Sequence, residues 1–239
     1  MIGNNPPLDF QRSCKRNGLS LSSSQIHLLT RLVDGLTEWN SKINLISRRD
    51  QANIWVSHVL HSLALLFYFE LPGGIRVLDL GTGGGFPGLP IAVVRPDLNI
   101  VLLDSIQKKT TAVRDLVDRL GLTSATVVTG RAEDVHRTRG MGGTFDLVLS
   151  RAVGSLRDLV RWSRPFLKVQ DGPPEMTPEG RRIVLSSPAL VALKGGDLER
   201  EIAETKIKES TRLIRTVRMS FEGSSELGLE DKKAVIVHI

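Results

Sequence analysis

At 239 residues, with 41% hydrophobic and 24% charged side chains, the chain can bury one sizeable core. No apolar run reaches the ~18 residues a membrane-spanning helix needs. Basic residues outnumber acidic ones 32 to 26, a net charge of +6 that suggests a polyanionic partner without requiring one.

Met1 to Phe10 lacks the basic flank and apolar core of a secretory signal, and the single Cys14 cannot form an internal disulfide. A soluble, cytoplasmic protein with no membrane partner is expected. Residues 121–170 hold 8 basic against 4 acidic side chains. Arg131, Arg137, Arg139, Arg151, Arg157, Arg161, Arg164 and Lys168 make a candidate phosphate-binding stripe, although a solvated basic face reads the same way.

Pro6-Pro7 precedes a short helix that stops at Gly18, and Ser20 to Ser24 offer N-caps for a longer one. Ile26, Leu29, Leu32, Val33, Leu36 and Trp39 recur at helical spacing and predict one buried face. Asn44-Leu45-Ile46-Ser47 reads as a loop. Asp50 is placed to cap a third helix running to about Phe69. Leu71-Pro72-Gly73-Gly74 ends it and divides a small N-terminal helical region, 1–73, from a second domain, 74–239.

Beyond Gly74 the pattern becomes α/β. Ile75–Leu80, Asn99–Asp104, Ala125–Thr129, Phe145–Ser150 and Ala189–Lys194 are Val/Ile/Leu-rich runs. Helical segments separate them near Leu89–Val94, Gln107–Leu120, Ala132–His136 and Leu156–Phe166. This alternation predicts a mostly parallel, Rossmann-like sheet with ligands bound beyond the carboxyl ends of its strands. Val169–Pro188, rich in proline, reads as an irregular excursion. Leu213–Phe221 and Ala234–Ile239 are expected to form an antiparallel hairpin at the sheet edge.

The first central strand runs into Asp79-Leu80-Gly81-Thr82-Gly83-Gly84-Gly85-Phe86-Pro87-Gly88. Gly83, Gly85 and Gly88 match the dinucleotide fingerprint formally, so a nicotinamide-dependent oxidoreductase competes. Asp79, standing ahead of the glycines, repels a pyrophosphate but suits a ligand carrying ammonium and sulfonium charges. S-adenosylmethionine is such a ligand, and glycine lets backbone approach it closely. Asp104, ending the next strand, can accept from both ribose hydroxyls of either cofactor. Gly130-Arg131-Ala132-Glu133-Asp134 falls where adenine would lie, although Glu133 or Asp134 could instead cap the following turn.

From about Trp39 to Glu201 the chain resembles the RsmG (GidB) family of bacterial small-subunit ribosomal RNA (guanine-N7) methyltransferases. The resemblance is carried by Trp39-Asn40 through Asn44-Leu45, His58-Val59-Leu60-His61-Ser62-Leu63, the stretch from Asp79 to Pro90, Leu102-Leu103-Asp104-Ser105 with Lys108-Lys109, Arg131-Ala132-Glu133, Ser150-Arg151-Ala152 and Ala192-Leu193-Lys194-Gly195. It implies a class I methyltransferase fold, and cofactor contact at Gly81, Phe86, Ala132, Glu133 and Arg151, to which the residue reading adds Asp79, Gly83 and Asp104. It also implies 16S ribosomal RNA, or the 30S particle, as partner. The family usually has an acid where His61 stands, a threonine where Ile46 stands, and a shorter segment at 170–188.

The chemistry agrees with that resemblance. Amine methylation generally uses Asp/Asn-Pro-Pro-Tyr/Phe after the fourth strand, where this chain has Ser150-Arg151-Ala152-Val153. Carbon-5 methylation of a pyrimidine needs a cysteine nucleophile, and Cys14 lies far from any strand end. Guanine N7 offers an in-plane lone pair and has no proton to lose, so no general base is required. No catalytic residue is therefore assigned; positioning dominates, with Asp79 and Arg151 placed to assist. Arg151 could hold the cofactor carboxylate, a phosphate or guanine O6, since bidentate contact to O6 and N7 would block the nucleophile.

Lys108, Lys109, Arg157, Arg161 and Arg164 are the candidate RNA contacts, and Phe86 or Trp162 the candidate stacking surfaces. His58 and His61 share a helix face, but no Cys or acid at matching spacing completes a metal site, and no metal is expected. A non-catalytic RNA-binding assembly factor remains the alternative from another class.

Overall fold

The computed structural model describes residues 6–151, 153–170, 176–179, 182–185, 188–225, 227–229 and 231–239; side chains are described for these except 48, 49 and 176–179. Ala152, Gly172-Pro173-Pro174 and other parts of the proline-rich excursion therefore lie outside the described residues.

Helices α1 (Leu8–Arg16) and α2 (Ser23–Asn40) open the chain. Among the serines offered as caps, Ser22 accepts from the Gln25 N–H while the Gln25 side chain accepts from the Ser22 N–H, a reciprocal capping box. Gly35 lets α2 lie close on α7 (Gln107–Leu120): a Cβ there would stand 2.5 Å from Leu116. Trp39 Nε1 donates to Asp115 Oδ2 at 2.6 Å, fastening the same pair of helices.

The third helix is not continuous. Ser47, rather than Asp50, caps α3 (Arg48–Gln51), accepting from the Asp50 N–H, because the chain turns three residues earlier than expected. A π-helical turn follows over Trp55–Leu60, then α4 (His61–Leu63) and α5 (Leu65–Tyr68). The His61 N–H reaches back to the Val56 carbonyl, a wide turn of the kind often found at functional sites. Phe69 leaves the helix for a short strand, β1 (Phe69–Glu70).

Among the described residues the main sheet has seven strands, in the order β4-β3-β2-β5-β8-β10-β9. Strands β2 (Arg76–Leu80), β3 (Asn99–Asp104), β4 (Ala125–Thr129), β5 (Leu147–Arg151) and β8 (Ala189–Gly195) are parallel. β10 (Lys232–His238) runs antiparallel to both β8 and β9 (Leu213–Arg218), giving the expected antiparallel edge. Phe145 does not begin the fourth parallel strand; it makes a lone bridge to Leu167, and the strand starts at Leu147. Helices α6 (Gly88–Val94), α7, α8 (Ala132–Val135), α9 (Leu156–Ser163) and α10 (Glu199–Lys208) occupy the connections.

The excursion is not wholly irregular. β6 (Met176–Glu179) pairs antiparallel with β7 (Arg182–Leu185), and β7 pairs in parallel with β1, forming a second, three-stranded sheet. Apolar side chains from α1 and α2, among them Phe10, Leu29, Leu32 and Leu36, enter the same buried cluster as Val77, Ile100 and Leu147 of the sheet. The helical region thus shares the core of the sheet.

Candidate functional site

Strand β2 is buried from Val77 to Leu80 and delivers the glycine loop to the carboxyl edge of the sheet. Gly81, Gly83 and Gly85 have φ of +75°, +57° and +94°, a region most side chains avoid. Close packing constrains Gly81 further and fixes Gly88 as well. A Cβ on Gly81 would meet Val153 at 2.4 Å, and one on Gly88 would meet Leu102 at 2.2 Å.

The loop opens one side of a cavity of about 580 Å³. Gly81, Gly83, Phe86, Asp104, Ala132, Glu133 and Arg151 all line it, converging from β2, β3, the turn after β4, and β5. Of the residues expected at the cofactor, Asp79 alone stays behind the wall. It is fully buried, and its Oδ2 accepts from Thr82 Oγ1 at 2.7 Å and from the Gly88 N–H at 2.8 Å. Burial pushes its carboxyl up to about 6, against the pull of those two donors and of Arg151. The structure therefore replaces direct ligand contact by Asp79 with a carboxylate that shapes the loop, because Gly88 and Thr82 fold over its oxygen.

Asp104 has the complementary position. Its Oδ2 accepts from the Gly83 N–H and its Oδ1 from the Ile106 N–H, both at 2.9 Å, tying the end of β3 to the glycine loop while facing the cavity. Glu133 does not cap α8: Arg131 occupies the N-cap position, and no described side chain closes it. Glu133 and Asp134 instead lie in the first turn, where the helix dipole favours acids.

Arg151 forms part of the floor. It donates from Nη1 to the Ser57 carbonyl at 3.1 Å, within the π-helical turn, and from Nη2 to His58 Nδ1 at 2.5 Å. Guanidinium has no acceptor, so His58 Nδ1 must accept and its ring proton resides on Nε2. That nitrogen faces Asp50 Oδ2 at 3.6 Å. Burial, then the charge of Arg151, pushes His58 down to about 4, consistent with a neutral ring. The guanidinium carbon stands 5.2 Å from the Phe86 ring centre, and the His58 ring lies 4.9 Å from the same centre. Burial lowers Arg151 to about 10, which leaves it charged near neutrality.

The candidate RNA contacts separate. Lys109 reaches the cavity rim, and Lys108 borders an adjoining groove with Lys42 and Asn44. Arg157 turns to Glu209 and Glu204 at 3.2 and 3.9 Å, and Arg164 donates to the Ser210 carbonyl. Arg161 is exposed and has no charged partner among the described residues. Phe86 and Trp162 both line the cavity. Cys14 is buried with Phe10 in the apolar core, and burial pushes its thiol up to about 12, so it is no nucleophile. Among the described residues no group of three or more His, Cys, Asp or Glu could hold a metal, and no helix is long and apolar enough to cross a membrane.

Asn40 is a site residue that residue type alone did not single out. Its buried Oδ1 accepts from the Leu45 and Ile46 N–H groups at 2.7 and 2.9 Å, setting the loop whose two apolar side chains wall the cavity. Its only sequence signal was its place in the Trp39-Asn40 through Asn44-Leu45 stretch.

A sequence profile of the family described as rRNA small subunit methyltransferase G matches residues 25–172, more than half of the chain. The chain belongs to that family. A Chlorobium luteolum protein named ribosomal RNA small subunit methyltransferase G is 40% identical over 191 residues, covering 80% of this chain and 71% of its own. A Bacteroides fragilis protein of the same name is 36% identical over 219 residues, covering 92% and 95%. Among solved structures, a variant of MtNAS in complex with S-adenosylmethionine aligns with a TM-score of 0.51 at 11% identity, covering 89% of this chain and 73% of that one. At that identity the likeness concerns the fold, which is Rossmann-like and mostly parallel with an antiparallel edge.

Proposed function

We propose that this protein transfers the methyl group of S-adenosylmethionine to N7 of a guanine in small-subunit (16S) ribosomal RNA, free or within the 30S particle, in the bacterial cytoplasm. The observation that carries this reading is the convergence of Gly81, Gly83, Asp104, Ala132 and Glu133 on one cavity at the carboxyl edge of the sheet, in a chain of this family. The residues fit the cofactor. Asp104 offers acceptors to the ribose hydroxyls, the glycine backbone leaves room for the methionine part, and the α8 turn borders the adenine. Arg151, with no carboxylate among the described residues at hydrogen-bond distance, is the cation available to the cofactor carboxylate or to the substrate.

S-adenosylmethionine supplies an electrophilic methyl on sulfur. The N7 lone pair forms the new C–N bond as the C–S bond breaks toward sulfur, and no proton moves. The chain's task is therefore alignment and charge placement, with no described side chain required as a base. Residues 74–239 form the methyltransferase domain and residues 1–73 the appended region that contributes a cavity wall through Leu45, Ile46 and His58. Lys109 and Arg161 are the basic side chains best placed for RNA phosphates. Arg157 is less available because it is ion-paired.

Calorimetric titration separates the readings. S-adenosylmethionine is expected to bind, and Asp104→Ala to weaken it by roughly 10-fold or more through loss of charge-assisted hydrogen bonds. Binding of a nicotinamide dinucleotide in its place would favour the oxidoreductase. RNA binding without either cofactor would favour the assembly factor.

A further inference from the structure

A second cavity, of about 960 Å³, lies on the other side of Arg151. His58, Arg151, Val153 and Gly154 line both spaces, so they form the partition across which a methyl group would pass. The two rooms differ in chemistry. The first has the backbone loops and acids described above; the second is bordered by Asp50, His61, Lys194 and Lys232. Its volume falls within the ~300–1,000 Å³ usual for ligand sites.

Asp50 stands out on its wall. Its Oδ2 accepts from Ser47 Oγ at 2.7 Å and faces the protonated Nε2 of His58, whereas no described residue donates to its Oδ1. The side chain is about 38% exposed and borders the cavity. His61 on the same wall is buried, and its Nε2 has no hydrogen-bond partner among the described residues. A carboxylate oxygen with no donor among the described residues, beside an arginine with N–H donors to spare, is a pattern complementary to one base. Guanine presents N1–H and N2–H donors on its Watson–Crick edge and the O6 acceptor beside N7. Adenine would turn its unprotonated N1 toward the carboxylate and be repelled.

Resting on the activity proposed above, we propose that this second cavity receives the target guanine. Asp50 accepts from its N1–H and N2–H groups, and N7 points through the partition formed by His58, Arg151, Val153 and Gly154. The target base enters unstacked, as enzymes acting on a base within RNA require. Lys232, which also borders this cavity, supplies a cation for the RNA backbone. Asp50 also acts on the rate. As N7 takes the methyl, positive charge spreads over the purine and N1–H becomes more acidic, so its hydrogen bond to the carboxylate strengthens in the transition state.

The test is a two-by-two comparison of methyl transfer. Wild type and Asp50→Ala are each assayed on RNA, or subunits rebuilt around it, carrying guanosine or inosine at the methylated position. Inosine keeps N7, O6 and N1–H but lacks the N2 amine. Wild type is expected to lose about 10-fold or more in kcat/KM on inosine, the scale of a hydrogen bond to a charged group. Asp50→Ala should be slower on both and treat the two bases alike within about twofold.

If Asp50 served only to hold His58 and Arg151, the variant would slow both bases equally and keep the inosine penalty. That result, or a wild type indifferent to inosine, would overturn the assignment. Should alanine unfold the turn, the isosteric Asp50→Asn is expected to narrow the same ratio, and an unchanged ratio again overturns it. Absence of any transfer by wild type to guanosine would overturn the proposed activity along with this site, whereas transfer with an unaltered ratio would remove the site alone.

Discussion

Arg151 meets Ser57 and His58 through hydrogen bonds to a carbonyl and a neutral ring, partners that position its charge without cancelling it. Such a cation, backed by Phe86, is ready to meet an anionic group in the cavity. Arg151→Ala is expected to weaken S-adenosylmethionine binding or slow methyl transfer by roughly 10-fold or more, measured by calorimetry and single-turnover kinetics. A variant unchanged in both would place Arg151 outside the chemistry. Gly81 is a steric counterpart. Its φ is +75° and an added Cβ would come within 2.4 Å of Val153, so Gly81→Ala forces either the loop or Val153 to shift. Destabilisation of about 1–3 kcal/mol in denaturant unfolding is expected, together with weaker cofactor binding.

At the scale of elements, the loop between α2 and α3 depends on one amide. Asn40→Leu would leave the Leu45 and Ile46 N–H groups without their acceptor, at about 1–3 kcal/mol for each group that finds no substitute. Urea unfolding should show that loss, and cofactor affinity should fall with it, since both residues wall the cavity. The regular α/β part was legible because its apolar runs and turn glycines agree with each other: α7 has the expected bounds, Gln107–Leu120. The helix foreseen from Asp50 to Phe69 was not. Its apolar spacing is helical, but long-range contacts, including Arg151 on the Ser57 carbonyl, act on a segment that adopts a π turn and ends in a strand. The β6–β7 pair escaped notice because β6 is four residues long and carries Pro178 in a proline-rich stretch, and because β1, which pairs with the apolar β7, is only two residues long.

For the molecule as a whole, the same burial that shapes the site sets its response to acid. Burial pushes His61 down to about 3 and His58 to about 4, from 6.5. Groups so depressed contribute stability that is present above pH 6.5 and lost as pH falls toward those values, because the unfolded chain takes up the protons first. Asp79 acts in the opposite sense. Raised from 3.8 to about 6, it favours the folded state at low pH and loses that contribution as pH climbs through about 6. His61→Leu is therefore expected to flatten the stability loss below pH 6.5, and Asp79→Asn to remove the opposing slope between about pH 4 and 6, both read by denaturant unfolding across pH.

The lining of the first cavity was legible because Gly81, Gly83 and Asp104 lie at or just beyond strand ends, where sequence order fixes position. Asp79 was misplaced because sequence gives a carboxylate's location along a strand but not which side of the loop will enclose it. The second cavity was hidden for a related reason: Asp50, Arg151 and Lys232 come together only when β5 and β10 are set beside the N-terminal turn.

The most direct measurement is to incubate the protein with labelled S-adenosylmethionine and ribosomal RNA or small subunits from cells lacking the activity, then locate the label by chemical strand scission at N7-methylguanosine. Label at N7 of a guanine in small-subunit RNA is the predicted result. Label on an exocyclic amine or a pyrimidine carbon, or none on a validated substrate, would contradict it.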